Sequence, residues 1–215
     1  MKTRGRAGII ISLIVVGLMM LFLIGSGVAA IAKGGAVPLD TAQKGEVCEF
    51  TAQYAFKAFE ISHSVNLIPT GSEHYYLMYS SDGTVEYLVR AKPSWIKKRF
   101  GASGLAVGNS QKIKGLVTSL DYEIKDEVRE LNAEMQSEHI GTVSASYYID
   151  TRYKELGWMR IFSGIGYSGI FLFMRLATVN GMLHGNKFLK GVFAVVFLGI
   201  SVMLLYTISV GGVWF

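Results

Sequence analysis

The sequence contains very little cysteine and proline: one cysteine, Cys48, and three prolines in 215 residues. A single thiol excludes an intramolecular disulfide, so any soluble part must be held together by its own apolar core. A domain of roughly 120 residues buries enough apolar surface to do so. Cys48 has no lysine or histidine near it in sequence, and it is interpreted as a packed strand residue rather than a nucleophile.

Acidic residues are missing from both ends of the chain, because all 16 of them fall between Asp40 and Glu155. Residues 34–157 carry 13 Lys/Arg against these 16, a net charge of −3, and the other eight cations flank or interrupt apolar stretches. The overall charge of +5 therefore reflects cations beside membrane spans. It does not predict a nucleic-acid partner.

The longest apolar run near the N-terminus extends from Ile9 to Ile31, 23 residues without a charge. As a helix it would be about 34 Å long, enough to cross a hydrocarbon core of roughly 30 Å. The alternative is a cleaved signal peptide, because Ala30-Ile31-Ala32 resembles a cleavage site. Since signal h-regions are usually only about 7–15 residues long, an uncleaved signal anchor within residues 1–33 is preferred.

Two further apolar stretches lie at the C-terminal end, within residues 157–215. Gly191 to Phe215 has 25 residues and no charge, and it predicts a span over about 191–213. Ile161 to Met174 has only 14 residues before Arg175. It predicts either a span over about 159–179 or a re-entrant or interfacial helix, and three spans in total are preferred.

Two pairs of residues refine this C-terminal region. Trp158 and Arg175 are the expected membrane-interface anchors of the span over about 159–179. Gly164 and Ser168 form a small-xxx-small pair that predicts close helix packing, either with the protein's own spans or with a partner subunit.

The distribution of cations near the apolar stretches predicts the topology. Lys2, Arg4 and Arg6 precede the first span and place the N-terminus in the cytoplasm. With three spans, the protein is a multi-pass cell-membrane protein with its middle block, residues 34–156, on the extracytoplasmic side. A cytoplasmic middle block remains open as the alternative.

Residues 34–156 predict a soluble α+β domain with the element order β-β-β-α-β-α-β. Period-two alternation predicts a strand from Glu46 to about Ile61, and Asp82-Gly83 predicts a hairpin turn between two further strands. A small antiparallel sheet with an amphipathic helix, either OB-like or a plain α+β sandwich, fits this order. The remaining predicted elements are the strands His74 to Tyr79, Thr84 to Arg90, Lys112 to Thr118 and Thr142 to Ile149, and the helices Trp95 to Phe100 and Ser119 to Glu138.

No residue pattern predicts catalysis, a bound metal or a cofactor. The candidate ligands His63, Glu73, His74 and His139 form no metal-binding spacing. His63 and His74 border a predicted loop, Ser64 to Glu73. Solvated loop histidines are the preferred interpretation, and a metal site that joins the two is the alternative. The glycine-rich segment 101–109 lacks the spacing of a phosphate-binding loop and is interpreted as a flexible connector.

One surface cluster combines basic and aromatic side chains: Trp95, Lys97, Lys98 and Arg99. Such a cluster is suited to anionic lipid or to an acidic partner. The alternative is an ordinary solvated helix face.

The layout of the chain is similar to that of uncharacterised small membrane proteins of Gram-positive bacteria. The similar features are the N-terminal anchor, the strand entry at Gly45 to Val47, the YYL…DG…YLV hairpin and the C-terminal spans. This resemblance implies a bacterial membrane protein and transfers no activity.

The sequence therefore favours a non-enzymatic integral membrane protein whose soluble domain scaffolds a membrane protein partner or a homo-oligomer. The alternatives are a membrane-tethered ligand sensor or enzyme with its site in the soluble domain, and, less favoured, a transporter subunit.

Overall fold

A computed structural model describes residues 2–65, 68–80, 86–108, 110–137, 143, 145–179 and 187–211. The chain divides into two compact units. The helical unit comprises Met1–Ala32 and Lys154–Trp214, and the sheet unit comprises Lys33–Tyr153.

The sheet unit is α+β, with one seven-stranded sheet and two α-helices. A short 3-10 helix, Leu39–Thr41, follows the first strand. The strands are β1 (Val37–Pro38), β2 (Val47–Ala52), β3 (Tyr54–Val65), β4 (Ile68–Tyr79), β5 (Glu86–Arg90), β6 (Gln111–Ser119) and β7 (Tyr147–Asp150), and the helices are α2 (Pro93–Phe100) and α3 (Tyr122–Ser137).

The sheet is mixed, so the expectation of an antiparallel sheet is wrong. Its strand order is β1-β2-β6-β7-β5-β4-β3. The pairs β1/β2 and β5/β7 are parallel, and the other pairs are antiparallel. A parallel pair needs a long crossover connection, and α2, β6 and α3 supply it between β5 and β7.

The single strand predicted from Glu46 to Ile61 is in fact two strands, β2 and β3, which meet at Gln53. At this residue the chain changes partner, because β2 pairs with β6 whereas β3 pairs with β4. The Gln53 N–H donates to the Tyr79 carbonyl at 2.8 Å. Since β2 and β3 belong to opposite halves of the strand order, the sheet must curl until those halves meet at Gln53.

The curvature is visible in a contact between strands that are not neighbours. The rings of Phe50 on β2 and Tyr87 on β5 have centroids 4.5 Å apart. In a flat sheet these strands would lie about 14 Å apart, given about 4.8 Å between neighbouring strands. The two rings therefore meet across the concave face of the sheet.

Two apolar clusters cover the two faces of the curled sheet. The concave cluster takes side chains from β2 to β7 and is closed by Ile96 and Phe100 of α2. The outer cluster packs β3, β4, β5 and β7 against Ile124 and Val128 of α3. The stripe predicted for α3 (Leu120, Ile124, Val128, Leu131, Met135) lies entirely in the outer cluster.

The segment 101–108 closes the sheet at the Gln53 bend. The Ala55 N–H donates to the Gly104 carbonyl, and the Ala106 N–H donates to the Gln53 carbonyl, both at 2.8 Å. Gly104 has a φ of +73°, and a Cβ there would lie 2.6 Å from the Ala55 carbonyl oxygen. Only glycine fits this position, so Gly104 has a packing role within the segment that was interpreted as a connector.

Several predicted boundaries change. The predicted loop Ser64 to Glu73 is wrong, because β3 and β4 continue as a paired hairpin to Val65 and from Ile68. β7 begins at Tyr147 rather than at residue 142. The Asp82-Gly83 turn lies outside the described residues, although Tyr79 and Glu86 pair on either side of it.

The helical unit contains three long helices. They are α1 (Lys2–Ala32), α4 (Tyr153–Val179, which begins at the end of the sheet unit) and α5 (Lys187–Gly211). Among the residues that the structure describes, no helix combines the length and the apolar character required to cross a membrane.

Candidate functional site

A buried ionic network joins four strands of the sheet unit. Its charged members Glu73, Arg90 and Asp150 are only 5%, 3% and 3% exposed. Two aromatic members, Tyr75 and Tyr148, belong to the outer apolar cluster, so the network lies on the α3 side of the sheet. Charged residues are seldom buried to this extent unless they are paired.

Arg90 is the centre of the network because its guanidinium binds both carboxylates. Its Nη1 lies 3.1 Å from Glu73 Oε2, and its Nη2 forms a short ion pair with Asp150 Oδ2. The Tyr75 hydroxyl donates a short hydrogen bond to the same Glu73 oxygen. His63 Nε2 lies 3.3 Å from the other one, Oε1.

Strand register brings these residues together. Arg90 and Asp150 are the last residues of the parallel strands β5 and β7 and are direct register partners. On the other side, Tyr75 of β4 is the register partner of Arg90. Glu73 lies two residues before Tyr75, and side chains two apart on a strand share a face.

Burial and neighbouring charges keep Arg90 and Tyr75 each in one protonation state. Burial alone would lower the pKa of Arg90, but Asp150, Tyr148 and Glu73 raise it well above its usual value. Burial also raises the pKa of both Tyr75 and Tyr148. Arg90 therefore stays charged and Tyr75 stays a neutral donor, while the guanidinium carbon also lies 5.3 Å from the Tyr148 ring centroid.

His63 and His74 are not solvated loop residues, so that interpretation is wrong. They lie on β3 and β4, and their side chains are only 16% and 19% exposed. His63 faces Glu73, whereas His74 Nδ1 lies 3.2 Å from Glu60. Among the described residues no group of three or more His, Cys, Asp or Glu could hold a metal ion, and His139 lies outside them.

Cys48 is fully buried in the concave cluster, at 0% exposure. Burial raises the pKa of its thiol to about 11, and backbone hydrogen bonding offsets this only in part. The thiol is therefore protonated at neutral pH, and a protonated thiol is a poor nucleophile.

The basic-aromatic cluster lies on α2. The guanidinium carbon of Arg99 lies 4.6 Å from the centroid of the Trp95 ring, and Arg99 also donates to the Lys112 carbonyl at 3.2 Å. Lys97 and Lys98 are exposed in the last turn of the helix. Trp95 and Arg99 are therefore held in place by contacts within the sheet unit, whereas the two adjacent lysines are exposed.

In the helical unit, Gly164 and Ser168 of α4 lie against α1. A Cβ at Gly164 would be 2.7 Å from Ile24 Cγ1 and 3.3 Å from the Met20 carbonyl oxygen. Ser168 Oγ donates to the Gly164 carbonyl at 2.8 Å and lies 3.1 Å from Met20 Sδ. The two helix backbones approach closely because these α4 positions are small.

The two predicted interface residues also lie in α4. Trp158 is 50% exposed, and its ring stacks on Phe162 with centroids 5.8 Å apart. Arg175 belongs to the same helix, but its side chain lies outside the described residues.

No family model matches this chain, and no curated protein or solved structure matches it either.

Proposed function

We propose that this chain is a non-enzymatic multi-pass membrane protein whose helical unit anchors the sheet unit as an extracytoplasmic scaffold for another protein. One observation carries the proposal: the helical unit presents large apolar side chains outward on all three helices. Leu21 of α1 is 68% exposed, Phe162 of α4 is 58% exposed and Val195 of α5 is 71% exposed. Others that share this exposure include Ile14, Leu18, Met19, Phe22, Val28, Ile165, Leu172, Phe188 and Leu198.

Small and polar residues of the same unit are buried beside apolar ones such as Leu23 and Leu156. Ser163 is 0% exposed and Arg160 is 5% exposed, and Gly27 and Gly157 are also buried. In water, contiguous apolar surface of this extent is rare on a monomer. In lipid it is the expected solvent-facing surface, with small residues at the helix contacts. The uncharged run Ile9 to Ile31 supports the same proposal.

The extracytoplasmic side follows from the cations that flank the apolar stretches. Lys2, Arg4 and Arg6 favour a cytoplasmic N-terminus, and three spans place the sheet unit on the other side. Lys187 and Lys190, in the first turn of α5, then lie at the cytoplasmic end of the last span.

The binding role is proposed from the sheet. If β2 and β3 count as one bent strand, five strands close on themselves, with α2 before the fourth of them and α3 before the fifth. We propose that this is an OB-like arrangement with an added helix, a fold commonly used for binding. Fold likeness alone assigns no ligand.

The network around Arg90 supports a structural rather than a catalytic role. Its carboxylates are engaged by Arg90, Tyr75 and His63 and are buried, so they are not presented to a substrate. A catalytic acid or base needs access to the proton that it transfers.

Affinity capture tests the scaffold role. The tagged full-length chain, extracted from its own membranes in mild detergent, should retain a stoichiometric protein, either a different chain or a second copy. A tagged chain with Lys125→Ala is the control. It removes one exposed charge on α3, away from α2, and should retain the same protein. A monomer that carries a co-purified metal or small molecule and no protein would overturn the scaffold role in favour of a sensor or enzyme.

A further inference from the structure

Two surfaces of opposite charge lie on different sides of the sheet unit. We call Trp95, Lys97, Lys98 and Arg99 the cationic surface of α2. No acidic residue occurs in the sequence from Tyr87 to Leu120, so nothing nearby along the chain neutralises it. Lys97 and Lys98 are exposed to solvent at the end of the helix.

The second surface is a row of glutamates on α3. Glu123, Glu127, Glu130 and Glu134 follow one another at spacings of four, three and four residues. These spacings place all four on one flank of the helix, over a length of about 16 Å. We call them the acidic stripe. Glu123, Glu130 and Glu134 are exposed and Glu127 is half-buried.

Several other surface charges, in contrast, are paired within the chain. Lys57 binds Glu60 at 2.8 Å, and Arg129 binds Asp126 at 2.6 Å. Lys112 and Lys114 both bind Glu49, at 2.6 and 3.1 Å. Within the part of the chain that the structure describes, neither lysine of the cationic surface and no glutamate of the acidic stripe forms an ion pair.

The acidic stripe is unfavourable by itself. Glutamates four residues apart on a helix repel each other, as Glu123 and Glu127 do, and so do Glu130 and Glu134. The cations on α3, Lys125 and Arg129, lie on the opposite flank and do not relieve this repulsion. A cationic surface from another molecule would relieve it.

A single copy cannot bring its own two surfaces together. α2 packs on the concave cluster through Ile96 and Phe100, whereas α3 packs on the outer cluster through Ile124 and Val128. The sheet therefore separates them. A second copy has no such restriction, and its three adjacent cations can face carboxylates of the acidic stripe.

We propose that the cationic surface of α2 in one copy binds the acidic stripe of α3 in the next, so that the chain associates head to tail. The proposal rests on the proposed scaffold function and names its partner as a second copy of this chain. Because the contact joins two different surfaces, each copy can bind one neighbour through α2 and another through α3. The copies therefore form a closed ring or an open row. Because the charges are exposed, salt should weaken the association.

Charge reversal on the full-length protein, in mild detergent, tests this pairing by analytical ultracentrifugation at low and high salt. Lys97→Glu with Lys98→Glu should weaken self-association at least tenfold at low salt, and so should Glu127→Lys with Glu130→Lys. Mixing the two variants should restore association, because each reversed surface then meets its complement. Lys125→Glu, on the other flank of α3, is the matched control and should associate like the original chain.

Each contrary outcome is distinct. Unchanged association of the Lys97/Lys98 variant, or no recovery on mixing, would overturn the head-to-tail contact. Salt-sensitive binding to phosphatidylglycerol vesicles that this variant loses, without any self-association of the original chain, would assign the surface to lipid instead. If the original chain is monomeric yet captures a different protein from membranes, this inference fails and the scaffold function stands. If it captures no protein either, both fail.

Discussion

Replacing Arg90 with leucine should lower the free energy of unfolding by about 3–5 kcal/mol, the usual effect of removing one partner from a buried ion pair. The variant leaves Glu73 and Asp150 buried without the guanidinium that binds both. Chemical denaturation of the full-length chain in mild detergent, followed by tyrosine and tryptophan fluorescence, measures the change.

The matched control is Arg129→Leu. Arg129 also binds a carboxylate, Asp126, but its side chain is 77% exposed. Exposed pairs contribute about 0–1 kcal/mol, so this variant should unfold almost like the original chain. Equal effects of the two substitutions would show that the Arg90 network contributes no more than a surface ion pair.

A second set of variants keeps the test informative if Arg90→Leu does not fold. Replacing Glu73, Arg90 and Asp150 together by leucine removes the three buried charges of the network at once. Because apolar replacement of an entire buried network is often tolerated, the triple variant should be more stable than Arg90→Leu alone. A triple variant that is less stable would mean that loss of the guanidinium, rather than unpaired charge, governs the effect.

Gly164→Val should destabilise the helical unit by about 1–3 kcal/mol, the usual range for overpacking at a tight contact. The new Cβ would lie 2.7 Å from Ile24 Cγ1 and 3.3 Å from the backbone oxygen of Met20. The Met20 backbone cannot move away without shifting α1. Thermal unfolding in detergent, followed by circular dichroism, measures the loss.

Gly169→Val provides the control within the same helix. A Cβ at Gly169 would meet nothing within 4 Å. Both substitutions introduce the same β-branched residue, so their difference isolates the contact with α1 from helix propensity. If both variants melt alike, Gly164 does not hold α1 and α4 together.

Local pattern was sufficient to predict most elements of the sheet unit. Apolar spacing predicts the buried stripe of α3. The helix begins after Asp121, whose Oδ1 accepts a hydrogen bond from the Ile124 N–H at 2.9 Å. α2 was predicted from Trp95 and begins two residues earlier, at Pro93, because proline favours the first helical position. These features depend on neighbouring residues, which is why they could be predicted.

The bend at Gln53 could not be predicted, because alternation continues on both sides of it. Alternation reports which side chains are buried but does not report which strand is the partner. The sequence predicts a loop in place of the hairpin arms for a related reason. Ser64, Pro69 and Gly71 are residue types common in loops, and the pairing that makes them strand residues is between β3 and β4.

The network around Arg90 could not be predicted because it depends on the register of strands that are far apart in sequence. Its members are far apart in sequence: Arg90 and Asp150 are separated by 60 residues. One signal was present, since both residues are charged and each ends an apolar run. That signal marks two buried charges without showing that they meet.

The proposed membrane topology can be tested most directly by cysteine labelling of intact cells. In a Cys48→Ala background, a cysteine replacing Ser137, exposed at the end of α3, should react at once with a membrane-impermeant maleimide. A cysteine replacing Asn186, just before α5, should react only after the membrane is permeabilised. Labelling of the Ser137 position only after permeabilisation, or recovery of the chain in the soluble fraction, would contradict a membrane-anchored, extracytoplasmic scaffold.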